Sequence, residues 1–186
     1  MKAEPIRFLP HTFDVSELSK QLDASKAWNC YRPRRDTYAH DAIDDIWARY
    51  NPWRNFTGDI AAFNEPHESE WYPEISDVPA LKPAVFDVMR AVEGERLGGV
   101  LITRIPPHGC VKPHVDGGWH ATYYGKFALQ VKGNEGQAFH FQHAHLSALP
   151  GELYTFDNSK MHWVTNDSDE ERITLIICIR GSRYAA

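Results

Sequence analysis

The sequence predicts a mainly β protein with helices toward its N-terminus, and three observations predict it. From Val100 onward the segments VLITRI, KFALQV, QAFHFQ, ELYTF, HWVTN and RITLIICIR are short and rich in β-branched and aromatic residues, as strands are. PPHG, GNEG, PGE, DNSK and NDSDEE separate them, and all are turn compositions. Before residue 96 the apolar residues recur instead at helical spacing. Short strands punctuated by turns in this way describe an antiparallel barrel or jelly roll, whose interior takes apolar side chains at one end and a small ligand site at the other.

In the N-terminal half, FDVSELSKQLDA, HDAIDDIWARY and VPALKPAVFDVMRAVEG each predict a helix, the third broken or started by Pro83. Arg54 to Trp71, where Gly58, Asn64 and Pro66 divide short apolar groups, predicts strand and loop. The change of character at Gly98-Gly99 suggests residues 1–95 as a mixed helical and irregular extension packed on a catalytic barrel of residues 96–186. No repeat or long linker divides the barrel segment, so one domain overall is expected.

Composition excludes several function classes. With 186 residues, 42% of them hydrophobic and 12% aromatic, the chain can bury a sizeable core and is not expected to be disordered. Its apolar runs are too short to cross a bilayer, and MKAEPIRFLPHTF lacks the apolar core of a signal peptide, which predicts cytoplasmic residence. Cys30, Cys110 and Cys178 are odd in number and far apart, a pattern of reduced thiols. A net charge of -5 without a basic stripe argues against a nucleic-acid partner, while leaving room for a local positive pocket that takes a small carboxylate. Nothing in the sequence sets the oligomeric state.

The chemistry concentrates in KPHVDGG and HWVTN. In an extended strand His114 and Asp116 project to the same side, and with a distant His162 they supply two imidazoles and one carboxylate, a donor set suited to non-haem Fe(II) with coordination positions left open. On the last predicted strand Arg172 shares its phase with Thr174, Ile176 and Cys178, opposite Ile173, Leu175, Ile177 and Ile179, so both faces are expected to be largely buried. An arginine entering such a strand needs a carboxylate, and a guanidinium grips one through two parallel hydrogen bonds. Ten residues separate it from His162, which predicts the neighbouring strand of a hairpin and a small dicarboxylate spanning arginine and metal. The plainer alternative is an edge arginine paired with Glu170 or Glu171.

Taken together, VLITRIPPHGCVKPHVDGG and ELYTFDNSKMHWVTNDSDEERITLIICIR resemble the aspartyl/asparaginyl β-hydroxylase branch of the Fe(II)/2-oxoglutarate oxygenases over roughly residues 96 to 180. The resemblance implies a double-stranded β-helix, a cupin-like jelly roll. It implies His114 and His162 as iron ligands, Asp116 as the carboxylate that many members of the superfamily supply, and Arg172 as the anchor of the co-substrate 2-oxoglutarate. The implied reaction releases succinate and carbon dioxide and hydroxylates a free amino acid or a peptide side chain. Pro107-His108-Gly109 departs modestly from the family's Pro-Gly turn before the first histidine.

Further residues are candidates for binding substrate. Arg104 shares phase with Val100 and Ile102 and is expected in the cavity, where a second arginine would suit an amino-acid carboxylate; a structural salt bridge is the alternative. Trp119, Tyr123 and Tyr124 follow the flexible Gly117-Gly118 pair and are read as a substrate-covering loop, against an aromatic packing patch; His120 is read as touching substrate or donating a supporting hydrogen bond near the metal, against a loop histidine exposed to water. His140, His143 and His145 imitate a metal cluster, but alternation splits them between two faces. Asn158 and Asn166 are expected to stabilise turns around His162. A cupin-type isomerase or lyase and a noncatalytic jelly-roll binding protein are the competing functions, and the spacing of Arg172 disfavours both.

Overall fold

The computed structural model describes residues 4–31 and 36–184. Two antiparallel sheets face each other. The larger contains β1 (Ile6–Thr12), β2 (Asp44–Tyr50), β3 (Glu70–Trp71), β4 (Arg96–Ile105), β6 (Gly125–Lys132), β9 (Glu152–Phe156) and β11 (Arg172–Arg180), in the order β1-β9-β6-β11-β4-β2-β3. The smaller contains β5 (Cys110–His114), β7 (Gln137–Phe141), β8 (Ala144–Leu146) and β10 (His162–Asn166), in the order β5-β10-β7-β8. From β4 onward the strands predicted from sequence are all present, and together they form the expected jelly roll.

The larger sheet has two differently used faces. On its outer face Ile173, Leu175, Ile177 and Ile179 of β11 join Val100 and Ile102 of β4 and Phe127, Leu129 and Val131 of β6. Two helices cover this layer: α1 (Ser16–Ala24), through Leu18 and Leu22, and α3 (Leu81–Ala91), through Leu81, Val85 and Val88. Both stripes follow the i, i+4 spacing that made them legible as helices, and Pro83 sits in the first turn of α3, where its missing N–H is not needed. Each fully buried leucine in such a layer stabilises the fold by about 1.5–3 kcal/mol. The inner face meets the smaller sheet through Ile105, Ala128, Phe139, Tyr154, Phe156 and Val164.

HDAIDDIWARY departs from its predicted helix and forms β2. Ile43, Ile46, Trp47 and Tyr50 carry a helix-like spacing, yet a register shift against β4 between Trp47 and Arg49 inserts one residue into the strand. That bulge turns Trp47 and Tyr50, three apart, into one aromatic cluster with Phe63 and Tyr72, while Ile46 and Ala48 enter the core under the helices. Residues before 96 thus contribute β1, β2 and β3 to the larger sheet. Arg54 to Trp71 contains a 3-10 turn at Trp53–Asn55, the short helix α2 (Ile60–Phe63), capped by Asp59, and β3. A last short helix, α4 (Trp119–Tyr123), follows β5. No helix among the described residues is long and apolar enough to cross a membrane.

Candidate metal centre

β5 ends on His114 and β10 begins on His162, and the two residues are direct partners in the ladder. Their rings lie 4.3 Å apart between centroids. Asp116 follows two residues later, beyond the strand's end, and the backbone there is tied across: Asp116 N–H donates to the Asn158 carbonyl at 3.1 Å. Asn158 Nδ2 donates in turn to Asp116 Oδ2 at 3.3 Å and to the Ala121 carbonyl at 3.2 Å. One ligand atom from each of His114, Asp116 and His162 lies within 4.8 Å of the others, the one such group found among the described residues. His114 Nε2 is 3.5 Å from Asp116 Oδ1.

The tautomers suit a metal. His114 Nδ1 is 2.8 Å from the Lys112 carbonyl and His162 Nδ1 is 2.8 Å from the Lys160 carbonyl. A carbonyl only accepts, so each Nδ1 carries the proton and each Nε2 keeps its lone pair for ligation. His162 is buried and its ring stacks on Phe139 at 5.4 Å, which fixes its orientation and keeps water from that side. The donor set therefore fits a divalent metal, with His114, Asp116 and His162 as the residues able to hold it.

Arg172 opens β11 on the inner face and is 3% exposed. Its guanidinium donates to Thr174 Oγ1 at 2.6 Å, Gln130 Oε1 at 3.0 Å and the Tyr154 hydroxyl at 3.0 Å. All three acceptors are neutral. The alternative partners are engaged elsewhere: Glu171 with Lys132 at 2.7 Å, and Glu170 with Asn134 at 3.1 Å. The predicted hairpin between His162 and Arg172 is corrected, because β10 pairs with β5 and β7 in the smaller sheet while β11 pairs with β4 and β6 in the larger. The chain crosses between sheets at this point, and both residues line one cavity of about 350 Å³.

Arg104 is a correction. On β4 the cavity is lined by Leu101, Thr103 and Ile105, and strand alternation sends Arg104 to the outer face. There Nε and Nη2 bind Asp44 Oδ2 at 3.0 and 2.6 Å, and the guanidinium lies 4.3 Å over the Trp28 ring. Trp119 and Tyr124, expected in a substrate-covering loop, do not line the cavity and form the alternative aromatic packing patch. Trp119 packs on Tyr123 and His67, and Tyr124 is buried against Gly98, where any Cβ would meet its ring at 2.8 Å. His120 does line the cavity. Its Nε2 accepts from Gly99 N–H at 3.1 Å, so the proton sits on Nδ1, and burial followed by the nearby Lys126 charge pushes its pKa down to about 2. His140 hydrogen-bonds Thr165 and stacks on Trp163, on the face turned away from the cavity. Asn166 ties the turn after β10, donating to the carbonyls of Ile105, Pro106 and Glu170.

Several cavity residues were missed from sequence. His40 packs edge-on against His114 at 4.7 Å; Tyr50 and Asn64 hydrogen-bond to each other at the wall at 2.9 Å; Lys126 reaches in from β6. A signal for Lys126 and Gln130 existed, since KFALQV alternates Lys126, Ala128 and Gln130 against Phe127, Leu129 and Val131.

A family model described as aspartyl/asparaginyl beta-hydroxylase matches residues 15–181. The chain belongs to that family. Membership marks it as a hydroxylase, and the solved structures agree in fold. The hydroxylase is similar to an oxidoreductase of the 2OG-Fe(II) oxygenase family from Burkholderia pseudomallei, with a TM-score of 0.61 and 17% identity over 98% of this chain and 86% of that one. It is also similar to the viral collagen prolyl hydroxylase of Paramecium Bursaria Chlorella virus-1, with a TM-score of 0.52 and 10% identity over 97% and 98% of the two chains. A Pseudomonas putida prolyl-4-hydroxylase gives a TM-score of 0.52 at 12% identity over 96% and 93%. No curated protein matches the chain by sequence.

Proposed function

We propose that the hydroxylase uses Fe(II) and 2-oxoglutarate to hydroxylate an amino acid or an amino-acid side chain. The observation that carries this reading is Arg172: a buried guanidinium on neutral acceptors, facing the same cavity as the His114, Asp116 and His162 cluster. Burying such a charge is costly without an anion, and a dicarboxylate whose other end reaches the metal supplies one. His114, Asp116 and His162 would hold the iron, which when bound supplies oxygen activation coupled to oxidation of 2-oxoglutarate to succinate and carbon dioxide.

The chain's own residues position and protect. Thr174, Gln130 and Tyr154 hold the guanidinium of Arg172 toward the cavity, and Gln130 is itself fixed by donating to the carbonyls of Lys132 and Ile173 at 2.6 and 3.1 Å. Phe139, Phe156, Val164 and Ile176 line the cavity and exclude water from the co-substrate. Trp47, Tyr50 and Asn64 line the same cavity from the N-terminal half, which supports reading residues before and after 96 as one catalytic unit. The viral relative was solved as a complex with 2OG, in keeping with this assignment. Anaerobic Fe(II) titration followed by a succinate assay tests the proposal: metal-dependent 2-oxoglutarate binding and succinate release are expected, and their absence under reducing conditions would contradict it.

A further inference from the structure

His120 gives one ring nitrogen to the scaffold and keeps the other for the cavity. Gly99 N–H donates to Nε2 at 3.1 Å, an approach that needs glycine, since a Cβ at position 99 would meet Cε1 at 3.1 Å and Nε2 at 3.2 Å. An imidazole whose Nε2 lone pair is engaged in this way carries its proton on Nδ1. Nδ1–H meets no acceptor among the described residues, although His120 is 4% exposed and lines the cavity. The rings of Tyr50 and Tyr124 hold the imidazole in place, with centroids 4.8 and 4.7 Å away. A buried donor in a fixed orientation needs an acceptor, and here the acceptor must come from whatever fills the cavity.

A second donor stands on the same wall. The Tyr50 hydroxyl donates to Asn64 Oδ1 at 2.9 Å, which orients the amide and leaves Nδ2 without an acceptor among the described residues. Asn64 also lines the cavity, and its Cβ is 3.9 Å from where a Cβ on Gly118 would lie, two residues before His120. Tyr50 therefore braces both donors, the one through its ring and the other through its hydroxyl. Trp47, Ile60 and Leu101 line the cavity with them and are apolar.

Both donors are uncharged. Asn64 does not ionise, and burial followed by the nearby Lys126 charge keeps His120 neutral at ordinary pH. Lys126 is itself engaged with Cys178 Sγ at 3.2 Å. Neutral donors suit a neutral acceptor: an amide carbonyl has two lone pairs, accepts from two N–H groups and needs no counter-charge, whereas a buried carboxylate calls for a charged partner.

We propose that His120 Nδ1–H and Asn64 Nδ2–H are specificity-determining donors that hold the hydroxylation substrate by an amide carbonyl oxygen, selecting an amino acid in amide linkage over the free acid. This rests on the Fe(II)/2-oxoglutarate reading. Arg172 on β11 anchors the co-substrate, while the wall formed by β2, α2 and α4 reads the substrate.

Two measurements on the full chain test it. With 15N-labelled histidine, the ring signal that His120→Gln removes is expected to stay Nδ1-protonated and uncharged from about pH 5 to 8, with or without metal. With Fe(II) and 2-oxoglutarate loaded, succinate release is read for the twenty free L-amino acids and for each as its N-acetyl N′-methylamide. At least one diamide is expected to stimulate release, with a KM at least about tenfold below that of its free acid. In His120→Gln the side-chain oxygen can still accept from Gly99 N–H but the donor at Nδ1 is gone. That variant and Asn64→Leu are each expected to raise the KM about fivefold or more while the 2-oxoglutarate Kd stays within about twofold. His120→Asn, whose amide nitrogen falls near the place of Nδ1, is expected to restore part of the loss, which a purely structural role would not allow. The comparison of diamide with acid in the unaltered protein stands even if a variant fails to fold. A His120 protonated on Nε2 or charged in that pH range, a panel without an active diamide, free acids preferred to diamides, or variants that weaken 2-oxoglutarate instead of substrate would each overturn the proposal. Absence of metal-dependent 2-oxoglutarate binding in the unaltered protein would identify the co-substrate reading itself as the failure, and the proposal would fall with it.

Discussion

Arg104 and Arg172 sit on neighbouring strands of one sheet, one rung apart, and do opposite things. The ladder sets Arg172 beside Ile105 and Ile173 beside Arg104, so a single step of strand phase separates them. Arg104 points to the outer face, where Asp44 neutralises it and Trp28 lies beneath it. Arg172 points inward and meets the oxygens of Thr174, Gln130 and Tyr154, none of which carries charge. An arginine with its own carboxylate is a satisfied part of the scaffold. An arginine held in place by neutral acceptors keeps its charge for a ligand.

Removing a metal ligand from the cavity should do the most damage. His114→Ala or His162→Ala should weaken Fe(II) binding by more than about a hundredfold, because even outer hydrogen-bond partners of metal ligands are worth about 10–100-fold; equilibrium dialysis reads this directly. Next, Arg172→Ala should weaken 2-oxoglutarate by 2–5 kcal/mol, about 30-fold or more, measured on metal-loaded protein. Arg104→Ala should leave that affinity within about twofold and cost about 1–2 kcal/mol of fold stability in urea, the sum of a partly exposed ion pair and a cation–π contact. A large loss of co-substrate affinity in Arg104→Ala would contradict its role as scaffold.

Smaller changes sharpen it. Asn158→Ala frees Asp116 on one side and should lower metal affinity by about tenfold. Tyr154→Phe removes one of the three acceptors around Arg172 and should cost about three- to tenfold in 2-oxoglutarate affinity. His120 contributes through pH: folded, its pKa is held near 2, while unfolded it returns to about 6.5. Below that unfolded value the unfolded chain binds the extra proton, so stability falls as pH drops from about 6.5 toward 4, by up to about 1.4 kcal/mol per pH unit, and levels off above. Urea midpoints at pH 5 and 7 should differ less in His120→Gln than in the unaltered protein.

The strands from β4 onward were readable because β-branched runs between turn residues have few alternatives, and α1 and α3 because Leu18 and Leu22, or Leu81, Val85 and Val88, mark one helix face. The bulge in β2 was not readable, since an inserted residue gives a strand the apolar spacing of a helix. The metal candidates were legible from type and spacing, and the structure brings His114, Asp116 and His162 together. For Arg104 strand alternation supplies a phase but not its sign, because both faces of β4 are apolar and only the packing of α1 and α3 decides which is outer. Trp119 and Tyr124 followed a flexible glycine pair, yet the space that claims Tyr124 is made by Gly98, far away in sequence.

The central claim is that Arg172 keeps its charge for the distal carboxylate of a metal-bound co-substrate. Anaerobic calorimetric titration of 2-oxoglutarate into Fe(II)-loaded protein, run side by side with Arg172→Ala and Arg104→Ala, tests it most directly. One binding event per chain is expected, which requires the metal, survives Arg104→Ala and is weakened about 30-fold or more by Arg172→Ala. Equal binding by Arg172→Ala and the unaltered protein would contradict it.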